Sequence, residues 1–318
     1  MTASRHFVSL TFSALTFVPI AGNVWGQDYP SRPVRIFSAE AGGGTDFVAR
    51  TLAQGLTASL GQQVIVENRP SGVVPGDSVA KSAPDGHTLL VSTSVLWLAE
   101  FQSKTPYDAV KDFLPITLAV NSPHVLVVHP SLPVKTVRDL IALAKARPGQ
   151  LNYASGATGG SPHLAAELFK SMAGVNLVRV NYKGSAQGFI DLIGGQVQLT
   201  FGTGGSVGAH VKSGRLKPLA VTSSQPSVLF PELATVAASG LPGYESRTVY
   251  GAFAPAKTPA TIVSRLNQDI VRLLTQAETK SRLFSVGQEV VASTPEELSA
   301  AVKSEMQRLG KIIRDAGV

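Results

Sequence analysis

A chain of 318 residues, 44% hydrophobic and 15% charged, has ample material for a packed core and too little charge for a disordered ensemble, and its length suits two domains. The net charge of +7 comes without clustered lysines and arginines interleaved with aromatics, which excludes the footprint of a nucleic-acid groove and leaves a solvated surface mildly favourable to anionic solutes. There is no cysteine, so disulfides, zinc–thiolate sites, thiol catalysis and a cysteine-linked lipid anchor are excluded together.

Arg5 and His6 precede an apolar stretch from Phe7 to Ala21, and small residues follow to Val24-Trp25-Gly26. These are the charged, apolar and cleavage regions of a secretory signal, expected to be cut after Gly26. Spanning a membrane takes about twenty apolar residues. This run is shorter and broken by Thr11, Ser13, Thr16 and Pro19, so export is preferred to anchoring.

From Tyr29-Pro30 onward, short β-rich runs alternate with helical patterns, the signature of α/β layers around a largely parallel sheet. A strand over 34–38 leads through Gly42-Gly43-Gly44-Thr45-Asp46 to a helical stripe of Val48, Ala49, Leu52, Ala53, Leu56 and Leu60, closed by Gly61. A strand over 64–67, a helix end over 79–83 and a strand over 88–93 follow, the last running into Ser92-Thr93-Ser94 at the same edge as the first turn. A second block opens near Ser122 with a strand over 125–128 and a hinge-like break at Pro130 and Pro133. Thr136 and Asp139 form an approximate capping box for a helix through Ala146, stopped by Pro148-Gly149.

The strand over 151–154 feeds a second glycine turn, Gly156-Ala157-Thr158-Gly159-Gly160-Ser161-Pro162-His163. Ser161 is expected to cap the next helix, with Pro162 at its first position and Leu164, Ala165, Leu168, Phe169 and Met172 on one face. Strands over 178–181, 197–201, 218–222 and 250–254 continue the alternation. Thr258-Pro259 opens a helix through Leu274, and Thr294 with Glu297 forms a capping box for the C-terminal helix. Strand, glycine turn and helix thus occur twice. Two α/β lobes joined by two strands, crossing near 122–130 and 247–255, place both turns at one cleft.

Free N–H groups at a helix start form an anion site, so two opposed turns suit a carboxylate ligand. Gly42, Gly43, Gly44, Thr45 and Asp46 are the candidates in the first turn, joined by Thr93 and Ser94. Ser155, Gly156, Thr158, Gly159, Gly160, Ser161 and His163 are those of the second, with Tyr182, Lys183, Gly184 and Ser185 at a third turn and Thr203 beyond the strand over 197–201. Asp46 suits a capping role at the positive end of its helix better than a catalytic one. His163 fits equally well as a donor to an anion and as a packed residue at the lobe edge. Neither turn matches the dinucleotide fingerprint or a nucleoside-triphosphate loop.

Gly204-Gly205-Ser206-Val207-Gly208 matches the nucleophile-elbow pattern of esterases, yet the one histidine after Ser206 is His210, in the same predicted turn, which defeats triad geometry. Ser78-Val79-Ala80-Lys81 lacks the Lys-Thr-Gly partner of penicillin-recognising enzymes. The six histidines show no helical pair at ligand spacing, so no metal and no cofactor is expected.

In its ordered motifs the chain resembles the Bordetella uptake gene proteins, extracytoplasmic substrate-binding components of tripartite tricarboxylate transporters. The resemblance runs through Tyr29-Pro30-Ser31-Arg32-Pro33-Val34, Gly43-Gly44-Thr45-Asp46, Val66-Glu67-Asn68-Arg69-Pro70, Ala83-Pro84-Asp85-Gly86 and Leu151-Asn152-Tyr153-Ala154-Ser155-Gly156. It continues through Ser161-Pro162-His163-Leu164-Ala165-Ala166-Glu167, Tyr182-Lys183-Gly184-Ser185, Gly240-Leu241-Pro242-Gly243-Tyr244 and Pro255-Ala256-Lys257-Thr258-Pro259. It implies a type II-like periplasmic binding protein of two lobes, each a mixed, mostly parallel sheet flanked by helices, with 27–124 and 252–318 in one lobe and 125–251 in the other. It also implies a monomeric, periplasmic, non-enzymatic receptor that closes on a small organic acid for a membrane permease or, alternatively, a sensor protein.

By position, the first turn, Ser155 to His163 and Tyr182 to Ser185 should line the site. Three departures bear on the ligand. Ser38-Ala39-Glu40 puts an acid near the pocket mouth, the stretch over 71–76 is less glycine-rich, and Gly202 stands where the family commonly has aspartate. The missing aspartate favours a plain mono- or dicarboxylate, including an aromatic one, over an amino acid.

Overall fold

The repeated strand, turn and helix become two lobes of like construction. The computed structural model describes residues 29–317 apart from 71, 72, 157 and 183, so the export segment over 1–26 and Lys183 lie outside the described residues. In the first lobe, β1 (Val34–Ser38), α1 (Gly44–Leu60), β2 (Val64–Asn68), α2 (Val73–Ala80), β3 (Thr88–Ser92) and the short α3 (Val95–Leu98) alternate. The expected stripe of α1 buries Val48, Ala49, Leu52, Leu56 and Leu60, and Gly61 ends the helix with φ 68°, in the left-handed region that favours glycine. Next comes β4 (Phe113–Val128).

The second lobe contains α4 (Val137–Ala146), β5 (Leu151–Ser155), α5 (Ser161–Ala173), β6 (Leu177–Asn181), α6 (Ser185–Ile193), β7 (Leu199–Thr203), α7 (Gly204–Lys212) and β8 (Lys217–Val221). Then β9 (Arg247–Pro255), α8 (Ala260–Leu274), α9 (Ala277–Ser285), β10 (Glu289–Val290) and α10 (Pro295–Ala316) complete the chain. β1 lies between β2 and β3, and β5 between β6 and β7, all parallel. In each lobe the helices therefore begin at the same carboxyl edge of the strands, where ligand crevices of open α/β sheets lie.

β4 is much longer than the expected run over 125–128. Its first part runs through Pro115 and Pro123 paired to β9, with register shifts between Pro115 and Thr117 and between Leu118 and Val120. Pairing passes from β9, ending at Pro123 with Arg247, to β7, beginning at His124 with Thr203. At this crossing His124 is fully buried, its backbone N–H donates to Thr222 Oγ1 at 2.9 Å, and its Nε2 lies 3.1 Å from Thr248 Oγ1. Burial pushes the imidazole down to about 3, so it bonds as a neutral ring.

Both capping boxes form: Thr136 with Asp139 at α4, and Thr294 with Glu297 at α10. α10 packs on α3, β4 and α5 and so fastens one lobe to the other. Its buried Glu305 accepts from Trp97 Nε1 at 3.1 Å, and Arg308 Nη1 donates to Glu245 O at 2.5 Å. Ser161 does not cap α5. Gly160 is the N-cap in an extended conformation, the helix starts at Ser161, and no side-chain cap bond forms. Among the described residues no helix is long and apolar enough to cross a membrane.

Candidate functional site

The carboxyl ends of β1 and β3 in one lobe, and of β5, β6 and β7 in the other, open on a shared cleft. Because Ser161 is free of a capping duty, its hydroxyl lies 3.3 Å from Ser94 Oγ of the opposite lobe. Gly159 meets Gln102 so closely that a Cβ there would fall 2.0 Å from Gln102 Nε2. Behind the cleft, a Cβ on Gly205 would sit 2.3 Å from Val286 O, so backbone meets backbone at that contact. The predicted Ser94, Ser161 and Gly159 are thus brought to the line where the lobes touch, and Thr93 stands next to Ser94, half-buried.

In the first turn Gly42 has φ 82°, and Gly42, Gly43 and Gly44 are exposed. Thr45 is half-buried in the first turn of α1. The Asp46 carboxylate is buried and accepts from Gly42 N at 2.9 Å, Arg50 Nε at 3.0 Å and Asn68 Nδ2 at 2.8 Å. Desolvation alone raises its pKa, but the bonds from Arg50, Gly42 and Asn68 outweigh it and hold the carboxyl below its ordinary value. Asp46 therefore braces the turn rather than facing a ligand. Gly44 is the point of closest approach: a Cβ there would lie 2.5 Å from Tyr250 Oη, and Gln288 Nε2 donates to Gly44 O at 3.3 Å. Burial raises the Tyr250 pKa, which keeps the hydroxyl protonated.

The second turn is held differently. Gly159 has φ 72° and donates its N–H to His163 Nδ1 at 3.0 Å. His163 is buried, and burial, reinforced by the Arg179 guanidinium, pushes it down to about 4, which keeps Nδ1 an acceptor at neutral pH. Of its two expected roles, packing prevails, as a brace under the turn. Ser155 is buried, Gly156 half-buried and Thr158 exposed. Arg179 of β6 donates to Ser155 Oγ, Gly156 O and Thr158 Oγ1.

Tyr182 and Gly184 stand before α6, Tyr182 donating to Asp191 Oδ2 at 2.8 Å. Ser185 opens α6. Tyr182 and Gly184, together with Ser155, Phe189, Gly202, Thr203 and Ser206, border a cavity of about 40 Å³, with no charged residue among the described residues of its wall. That volume holds about three waters, the size of a small ligand end group. Gly202 leaves no room for a side chain, since a Cβ would fall 2.3 Å from Val207 Cγ1. A larger groove of about 840 Å³ between α8 and α10 shares no residue with either turn.

The esterase pattern dissolves in this setting. Ser206 Oγ donates to Thr203 O at 2.8 Å and accepts from Thr203 Oγ1 at 2.9 Å, while His210 lies one turn further along the same helix. Among the described residues no cluster of three metal-ligating side chains occurs. Tyr250, Gln288, Arg179 and Phe189 were not legible as site residues. Each lies outside the glycine motifs, and only sheet pairing and helix packing bring it there.

Residues 48–318 match the model of the tripartite tricarboxylate transporter family receptor, TctC. Protein BugT of Bordetella pertussis (strain Tohama I) is 36% identical over 304 residues, 94% of this chain and 93% of that protein. The solved structure of R. palustris Rpa4515 with adipate is 34% identical with a TM-score of 0.77, covering 91% of this chain and 99% of that one. MatC (Rpa3494) from Rhodopseudomonas palustris with bound malate is 27% identical with a TM-score of 0.73, covering 90% of this chain and all of that one (100%).

Proposed function

The chain belongs to the tripartite tricarboxylate transporter receptor family, whose members are solute-binding proteins rather than enzymes, and we propose that its cleft captures a plain mono- or dicarboxylate. The observation that carries this reading is the start of α5 meeting Ser94 and Gln102 of the opposite lobe, with an uncharged cavity beside the second turn, while α1 begins from a like glycine turn at the carboxyl edge of the first lobe. Helix-start donors favour an anion. An ammonium group finds no carboxylate on the cavity wall, because Asp46 is bonded inward and Gly202 leaves no space for an acid. Phe189 and Phe201 beside the cavity suit an apolar or aromatic ligand body.

The adipate and malate held by the two relatives are acids of this class, and they set the first probes. The receptor works in the periplasm after loss of the segment over 1–26, lines its site with the residues of the three turns, and hands the acid to membrane subunits of a tripartite transporter. Closing the cleft around the ligand expels water and strengthens these polar contacts.

Thermal denaturation of ligand-stripped protein with malate, adipate, benzoate and, as contrast, glutamate and aspartate tests the reading. An acid at ~100 times its Kd stabilises by about 2.7 kcal/mol and raises Tm. A shift with the amino acids and none with the plain acids overturns the ligand class. Ester turnover lost in Ser206→Ala would overturn the receptor reading itself.

A further inference from the structure

Arg179 stands directly beneath the second glycine turn, in a part of the fold where the motifs supply no cation within the described residues. Its Nε lies 3.2 Å from Ser155 Oγ, Nη1 3.0 Å from Thr158 Oγ1, and Nη2 2.8 Å from Gly156 O and 2.9 Å from Asn181 Oδ1. The bonds to Ser155, Gly156 and Thr158 span 24, 23 and 21 residues of sequence and tie the edge strand β6 to the turn.

We propose that Arg179 is a positioning residue that shapes the second turn into a donor-only seat for a ligand carboxylate. The proposal deepens the carboxylate-receptor reading and rests on it. A guanidinium donates and never accepts, so every oxygen it touches commits a lone pair to it. The Gly156 carbonyl, which would otherwise repel an anion at the turn, is thereby engaged from below. Both hydroxyls act as acceptors toward Arg179, and their protons are left to point elsewhere. That of Ser155 has only a long contact of 3.4 Å, to the same Gly156 O, and Thr158 is exposed.

His163 completes the arrangement by accepting the Gly159 N–H, which sets the backbone of the turn at the start of α5. Hydroxyl protons and helix-start N–H groups remain as the turn's outward chemistry, above a fixed positive charge. A carboxylate satisfies all of them. A ligand ammonium meets engaged oxygens and a like charge.

The test compares Arg179→Lys, which keeps the charge, with Arg179→Met, which keeps only the apolar stem, by isothermal titration with adipate and malate. Arg179→Met is expected to lose about 10- to 100-fold in affinity, the range for charge-assisted hydrogen bonds, and Arg179→Lys distinctly less. Amide hydrogen exchange of the ligand-free proteins over 156–163 should accelerate in Arg179→Met, with the core strands unchanged. Equal losses in the two variants would assign Arg179 a packing role and overturn the proposal, as would turn exchange and affinity that neither variant alters. If the wild type binds neither acid, the choice of ligand class falls, while the exchange comparison still decides whether Arg179 holds the turn.

Discussion

The two glycine turns occupy equivalent places in their lobes and are braced by opposite charges. The first is held by an anion: Asp46 takes the Gly42 N–H, is paired with the Arg50 guanidinium and accepts a further bond from the Asn68 amide. The second is held by a cation, Arg179, and by a neutral imidazole, His163. An anionic brace uses up a backbone donor, whereas a cationic brace uses up acceptors. The turns are therefore alike in sequence and unlike in the hydrogen-bonding groups they leave open.

The largest expected effect comes from the crowded side of the first turn. Gly44→Val would drive a branched side chain into Tyr250, whose hydroxyl already lies 2.5 Å from the position of a Cβ, and is expected to abolish carboxylate binding, a loss of ~100-fold or more. Calorimetry reads the loss and far-ultraviolet circular dichroism checks that the fold persists. Retained binding would show that the first turn is not part of the grip and would end the comparison.

Asp46→Ala should act on stability first, at about 1–2 kcal/mol in urea denaturation, because it removes the buried acceptor that ties the Gly42 N–H and the half-buried Asn68 amide together. The sign with pH follows from the direction of its shift. The folded-state pKa is lowered, so the stabilisation is present above the ordinary carboxylate range and lost as pH falls through the lowered value. A variant as stable as the wild type at neutral pH would remove the anionic brace from the comparison.

His163 sharpens the contrast at milder acidity. Its pKa drops from 6.5 unfolded to about 4 folded, so its contribution is complete above 6.5 and is lost as pH falls toward 4. Protonation puts a donor where Gly159 N–H needs an acceptor. The stability gap between wild type and His163→Asn should accordingly narrow, by about 1–3 kcal/mol, between pH 7 and pH 4.5. His124, which titrates in the same direction in both proteins, cancels in that difference. A gap independent of pH would mean that His163 does not brace the turn as a neutral ring.

Much of the scaffold was legible because its signals are local. The α1 stripe, the stop at Gly61, the capping boxes of α4 and α10, and the glycine turns each depend on residues a few positions apart. The extent of β4 was hidden because prolines ordinarily interrupt strands, and only pairing with β9 over 113–123 and with β7 and β8 over 124–128 makes the strand continuous. Ser161 misled in the same way. It has the chemistry of a cap, but Gly160 takes that position and the hydroxyl turns to Ser94 across the cleft.

The amino-acid pattern by itself determined the alternating α/β order, the two strand-turn-helix units and the family motifs, since propensity, periodicity and turn chemistry act over short spans of chain. Which side chains brace the turns and which stay open to the cleft was decided by tertiary structure. Asp46 and His163 turn inward as braces, Arg179 reaches the second turn from the neighbouring strand, and Gln288 reaches Gly44 across 244 residues. Strand register and helix packing choose such long-range partners, and no local run of residues records that choice.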